Sequence, residues 1–310
     1  MPNKFKIAIQ LFGHLRTYEE CSENLKNYLL DLYDCDVFMH TWDTLDHSTK
    51  TWHSFKVKSS VKVNEIRDNL IKLYNLKDLK IETQNFYPDM GTFRAIDSEI
   101  SVSGIKYMFY SMRTVNELRE KYQVEHNIKY DFVLTLRPDV YLKEKFEIEY
   151  FLQRMTIDEI NHGFFTYFFP MVGIYNDLKK LGMTDILFFG VPSLISNVIS
   201  NLSSTENLFK NGISFNFGPE FLFLKGIVSL NYKVYLIRYN NNDESTIRRK
   251  NIIPILDNRS NNKLKLIRLK INKKEFQVLI MKNLFITILS IKFCLFNKYK
   301  IYLCIGKKDD

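Results

Sequence analysis

Glycine and proline are scarce, 11 and 7 among 310 residues. A chain so poor in both leaves little room for long flexible linkers and is not a collagen-like fibre. Cysteine is rare as well. Cys21, Cys35, Cys294 and Cys304 form no CxxC pair, which argues against a zinc knuckle and a disulfide scaffold and fits a reducing cytoplasm. The most apolar C-terminal stretch is interrupted by Lys282 and Lys292, with nine residues between them. That is well short of the roughly 20 that a spanning helix needs. The N-terminal apolar stretch is short and is followed at once by Arg16, Glu19 and Glu20, so no signal peptide is expected. GxGxxG, P-loop, HExxH and GxSxG motifs are all absent, which removes the commonest nucleotide, metalloprotease and hydrolase signatures.

What is present is the composition of a folded protein: 45% hydrophobic and 25% charged residues. Its length allows one large domain or two small ones. The 25 Phe and 18 Tyr can build a large core, with some rings left over for a surface that meets something apolar. The net charge of +9 is unevenly spread. Lys263–Asp310 holds 12 of the 44 basic residues and 3 of the 35 acidic ones, so residues 1–262 are neutral. A nucleic-acid binder would carry its basic excess on the main fold, and none is expected here. A basic tail rich in Ile, Leu and Phe suits an anionic membrane surface. Its polar residues share no single helical face, so packing on the domain, lying in the interface and β structure all stay open for 263–310.

Along the chain, Phe5, Ile7, Ile9 and Leu11 alternate with Lys4, Lys6, Ala8 and Gln10, the pattern of a first strand ended by Gly13. A helix follows, with Cys21, Leu25, Tyr28, Leu29 and Leu32 on one side. Residues 36–43 form a second strand, 64–75 a helix and 79–83 a short strand. Helical spacing returns over 104–122. Tyr130–Leu136 is a buried strand with Arg137-Pro138-Asp139 at its carboxyl end. Further strands are expected at 185–190 and 232–239, and helices at 192–203 and from Pro219. This alternation predicts an α/β domain with a largely parallel sheet over about 240 residues, a polar linker or loop at 241–262, and the tail. Ligands of such sheets bind at the carboxyl ends of strands, where Arg16, Asp43 and Asp139 all fall. A carboxylate such as Asp139 can bind a divalent cation. Arg137 can hold a phosphate, or simply pair with Asp139 and close a loop.

Several short motifs occur in order: Gly13-x-x-Arg16-Thr17, His40-Thr41-Trp42-Asp43, Tyr110-Ser111-x-Arg113, Tyr130-Asp131 leading to Arg137-Pro138-Asp139, Asp185-x-x-Phe188-x-Gly190 and Gly218-Pro219-Glu220. Together they resemble a family of bacterial surface-polysaccharide glycosyltransferases of capsule and lipooligosaccharide loci, over residues 5 to about 240. The resemblance implies a GT-A-like single Rossmann-type domain, 1–240, that uses a nucleotide-sugar donor. It implies a lipid-linked or oligosaccharide acceptor and work at the cytoplasmic face of the membrane; the membrane contact expected of 263–310 rests on the tail's composition instead. GT-A enzymes place an Asp-x-Asp, with manganese or magnesium, where this chain has Arg137-Pro138-Asp139. Arg137 thus replaces the first carboxylate: either Asp139 alone ligates the metal, or Arg137 supplies the positive charge.

The same resemblance implies donor contacts from Arg16, Asp43, Ser111, Arg113, Arg137 and Asp139, and an acceptor base in Asp185 or Glu220. Each has a plainer role: a salt bridge for Arg16, a helix cap for Asp43, an exposed helix face for Ser111 and Arg113, a strand-edge turn for Asp185, and a helix first turn for Glu220. His14 and His40 are expected to be structural, and His162 is a weak third candidate for a metal. The run Phe164–Pro170 is either core or an apolar rim for a lipid-linked acceptor. Two rivals stand beside the transferase: a sugar-phosphate or phosphoryl transferase on a similar fold, and a non-catalytic membrane-associated assembly protein.

Overall fold

The computed structural model describes residues 5–46, 62–94, 99–153, 155–168, 183–202, 227, 230, 232–238, 244–246, 276–282, 285–291 and 301–305. The first part of the chain runs β1 (Lys6–Phe12), α1 (Tyr18–Tyr28), β2 (Asp34–Trp42), α2 (Arg67–Tyr74), β3 (Leu76–Glu82), β4 (Thr92–Arg94), β5 (Glu99–Ser101) and α3 (Val102–Glu125). Then come β6 (Phe132–Leu136), β7 (Val140–Leu142), α4 (Ile148–Leu152), α5 (Ile157–Asn161), β8 (Gly163–Phe168), β9 (Met183–Gly190) and α6 (Pro192–Leu202). The last strands are β10 (Lys233–Arg238), β11 (Glu244–Thr246), β12 (Phe276–Lys282), β13 (Phe285–Ile291) and β14 (Ile301–Ile305).

Eight strands form one open sheet in the order β14-β10-β8-β9-β6-β1-β2-β3. All of them run the same way except β9, which is antiparallel to both β6 and β8. This is a mixed α/β architecture with a mostly parallel sheet, compatible with a Rossmann-like fold. Helices cover both faces, which is why the central strands are buried on both sides. Ile7, Ile9 and Leu11 point to the face covered by Leu25 of α1, Leu70 and Tyr74 of α2 and Phe151 of α4. Ala8, Phe12 and Phe38 point to the other face, under Ile105, Met112 and Val115 of α3 and Leu194, Ile195 and Val198 of α6. Each such large apolar side chain contributes about 1.5–3 kcal/mol when fully buried.

Gln10 of β1 and Thr135 of β6 are polar and also fully buried, and α3 answers for them. Thr135 donates to Gln10 at 2.8 Å, and Gln10 donates to Asn116 at 3.0 Å. Arg119, one turn further along α3, donates to Asn116 and to Ser196 of α6, both at 2.7 Å. The network ties α3, α6 and the sheet together where an unpaired amide would be costly. On the opposite face Asn24 of α1 imitates a strand partner. Its side chain donates to the Leu142 carbonyl at 2.8 Å and accepts from the Leu142 amide at 2.7 Å, which holds β7 in place.

Local signals account for the ends of the helices. Ser101 caps α3 by accepting from Gly104 N–H at 3.1 Å. Asn75, just past α2, adopts the left-handed conformation with φ 50°. Thr156 and Glu159 form a reciprocal capping box at α5.

The anticipated elements fall close to where the pattern placed them, with ends differing by a few residues. Of the aromatic run after His162, Phe164 and Phe165 are fully buried core. Tail strands β12 and β13 pair antiparallel with each other, and β14 extends the main sheet beside β10. Among the described residues no helix is long and apolar enough to cross a membrane. The helix anticipated at Pro219, with Glu220, lies outside the described residues.

Candidate functional site

Five chain segments converge at the carboxyl edge of the parallel strands. After β1 the chain turns at Gly13, whose φ of 91° is open to glycine and costly for other residues. The Gly13 amide donates to the His40 carbonyl at 3.2 Å and to Ser111 Oγ at 2.8 Å. Arg16 follows with φ 48°. An arginine in the left-handed region is strained by roughly 1–3 kcal/mol and needs surroundings that hold it there. Three contacts do so. Its amide donates to the Leu45 carbonyl at 2.8 Å, its Nε to Asp46 at 3.0 Å and its Nη1 to Asp139 at 3.1 Å.

The segment after β6 supplies Arg137 and Asp139. Arg137 still belongs to the sheet, its amide donating to the Ile186 carbonyl at 3.1 Å. Its guanidinium grips Asp139 in a fork, Nε to Oδ1 at 2.8 Å and Nη2 to Oδ2. Asp139 is fully buried, and both its oxygens are held by guanidiniums. The other edge of Arg137, its Nη1, has no hydrogen-bond partner among the described residues, and a tenth of the side chain stays at the surface. Because β9 runs backwards, its first residues reach this same edge. Asp185 is next in the chain to Ile186 and so stands beside the backbone of Arg137.

A second chain of contacts braces the first. Burial pushes the His40 imidazole down to about 4, against weaker support from Glu82, so the ring is neutral at pH 7. The network then assigns the protons. Ser111 Oγ accepts from Gly13 N–H and donates to His40 Nδ1 at 2.7 Å, and His40 Nε2–H donates to Glu82 at 3.1 Å. The sequence Ser, His, acid has the connectivity of a nucleophilic triad. Ser111 is fully buried, however, and already engaged by Gly13, so it has no open side for a substrate. Burial raises Glu82, but hydrogen bonds from Lys80 at 3.0 Å and Tyr110 at 3.0 Å outweigh it and hold the carboxyl below its usual range. The group therefore positions the β1 loop against β2, β3 and α3. Around it Trp42 packs against His40, Tyr107 and Tyr110, with ring centroids 4.8, 5.3 and 6.0 Å away. Phe86 lies 4.7 Å from Tyr110 and is exposed at the rim.

No protein-family model matches the chain, and no curated protein matches it. The site therefore rests on its own geometry.

Of the residues singled out from sequence, Arg16, Arg137 and Asp139 are brought into direct contact. Asp43 is close by but acts as a bracket. Its amide donates to the Glu82 carbonyl at 2.9 Å and its carboxylate accepts from Thr83 at 2.5 Å. Ser111 supports the β1 loop from within. Arg113 lies over the Tyr110 ring at 5.3 Å and pairs with Glu117 at 3.6 Å; it touches none of the three. Nothing described bears on the Asp185 side chain or on Glu220. His14 is structural, its Nδ1 beside the Thr44 carbonyl at 3.1 Å and its imidazole pushed down by burial. His162 is at the opposite edge, ahead of β8, beside Asp158. Asp46 and Glu82 were not anticipated, whereas His40 is structural as expected, hydrogen-bonded to Ser111 and Glu82. Nothing local marks Asp46 in its polar stretch; only folding brings it to Arg16.

Among the described residues the arrangement does not fit a divalent cation. Among the described residues no group of three His, Cys, Asp or Glu side chains could hold one. The one carboxylate at the expected place, Asp139, is surrounded by positive charge that would repel a cation.

Proposed function

We propose that this chain is a glycosyltransferase of GT-A type, moving a sugar from a nucleoside diphosphate donor to a hydroxyl of a bacterial surface glycan. The observation that carries the reading is the Arg16–Asp139–Arg137 cluster at the carboxyl edge of β1 and β6. Two guanidiniums are fixed there in a mostly parallel α/β sheet, where such folds receive anionic ligands. The reversal of β9 is compatible with the GT-A arrangement and delivers Asp185 to the same edge.

In the proposed reaction, the bond from the sugar's anomeric carbon to the diphosphate oxygen breaks, and its electron pair leaves with the nucleotide. The acceptor oxygen bonds to that carbon, and Asp185 takes the acceptor's proton. The cluster's work is to favour the charge that appears on the departing diphosphate. The acceptor is a lipid-linked or oligosaccharide chain, and the basic tail holds the protein at the inner face of the cytoplasmic membrane.

The test is a panel of nucleoside diphosphate sugars, read by thermal shift and by nucleotide release with a lipid extract as acceptor. One donor should stabilise the chain and release its nucleoside diphosphate. Asp185→Asn should lower turnover at least 100-fold while donor affinity stays within about twofold. Release of a nucleoside monophosphate would instead show sugar-phosphate transfer. A folded protein that neither binds nor turns over any donor would sink the reading.

A further inference from the structure

Arg137 presents its guanidinium in two halves. The Nε and Nη2 edge is closed by Asp139, while Nη1 faces away without a partner among the described residues. Arg16 donates to Oδ2 of the same carboxylate, the oxygen that Arg137 Nη2 also reaches, and does so from a backbone conformation that an arginine does not adopt without restraint. Asp139 therefore fixes two guanidiniums side by side at one edge of the sheet. It is a positioning residue, since its two oxygens are covered and it is fully buried. Guanidiniums are permanently charged, planar and weakly hydrated, and they bind phosphate oxygens through parallel N–H donors.

We infer that this pair replaces the divalent cation: Arg137, with Arg16 beside it, binds the diphosphate of the donor directly, and binding needs no metal. This rests on the transferase reading above and adds how the leaving group is held. The carboxylate that would have been a metal ligand instead orients the positive charge. The charge is carried on side chains, so chelation does not remove it.

The test uses the full chain and calorimetric titration with uridine, guanosine, cytidine and adenosine diphosphates and their sugar conjugates. Each is run in excess EDTA and in excess magnesium or manganese. The expected result is one nucleotide bound with the same Kd, within about twofold, in both buffers. Arg137→Met should weaken it roughly 10- to 100-fold, the loss of a charge-assisted contact. Arg137→Lys should recover only part of the loss, because an ammonium lacks the fork that keeps Asp139 in place. Circular dichroism of each variant and a cooperative thermal transition above the titration temperature establish that the fold survives. Should Arg137→Met unfold, the Arg137→Lys titration decides alone.

Binding that disappears in EDTA and returns with a divalent ion would overturn the inference and leave the transferase reading standing. Metal-independent binding that is indifferent to both Arg137 variants would overturn the assignment to Arg137. Absence of nucleotide binding in either buffer, by folded protein, would overturn the transferase reading itself and this inference with it.

Discussion

Arg137 and Arg16 share a single carboxylate, that of Asp139: Arg137 spans both oxygens and Arg16 reaches Oδ2 at 3.1 Å. Removing the shared group leaves two largely buried guanidiniums without their common partner. Asp139→Ala should therefore cost about 3–5 kcal/mol of stability. Arg16→Met leaves the fork from Arg137 intact and should cost less, about 1–3 kcal/mol. Urea denaturation with unchanged slope would read both. Equal losses would show that Asp139 does not hold the two arginines independently.

Stability should fall on mild acidification. The folded pKa of His40 lies near 4, below the ordinary value of 6.5, because burial disfavours the charged ring. Between those two values the unfolded chain takes up the proton and the folded chain does not. The contribution of His40 is thus complete above about pH 6.5 and is lost as pH falls towards 4, at up to about 1.4 kcal/mol per pH unit. His14 is shifted the same way by burial and adds to the same trend. Thermal melts across this range would show it, and His40→Gln should flatten the dependence. An unchanged pH profile in that variant would place the titration elsewhere.

Two glycines should respond to alanine with opposite signs. A methyl on Gly163 would lie 2.6 Å from the Glu159 carbonyl and 2.8 Å from the Phe165 ring, both set by packed structure. Gly163→Ala should cost about 1–3 kcal/mol. At Gly104, inside the first turn of α3, the nearest atom is 3.4 Å away, and alanine should gain about 0.5–1 kcal/mol from lower unfolded entropy. Denaturation midpoints of the two variants would test the packing at each place.

Thr41 is fully buried in β2, and its hydroxyl has no hydrogen-bond partner among the described residues. Thr41→Val removes a desolvated polar group and keeps the shape. Stability should be unchanged or rise by about 1 kcal/mol. A loss of more than that in chemical denaturation would reveal a partner for the hydroxyl.

Much of the architecture was legible because it is written in local pattern. The alternation around Ile7 and Ile9, the unbroken apolar run at Phe132–Leu136 and the helical spacing from Ile105 to Val115 each respond to a period of the backbone. The carboxyl-edge position of Arg16 and Arg137 followed from the same pattern, since each stands just beyond a strand. The direction of β9 was not legible. A short buried strand has the same composition whichever way it runs, and only its pairing with β6 and β8 sets the sense. That reversal is what carries Asp185 to the site edge.

The roles within the site divide along the same line. By itself the sequence determined the α/β class and the strand ends just beyond which Arg16, Arg137 and Asp139 stand. Each depends on residues close together in the chain. Only the tertiary structure decided that Asp139 is buried between two arginines, that Ser111 and His40 brace Gly13, and that Asp46 answers Arg16. Those partners lie 123, 98, 71 and 30 residues apart. Hydrogen bonds and charge act over a few ångströms of space, and no periodicity in a sequence encodes which distant side chains will close that gap.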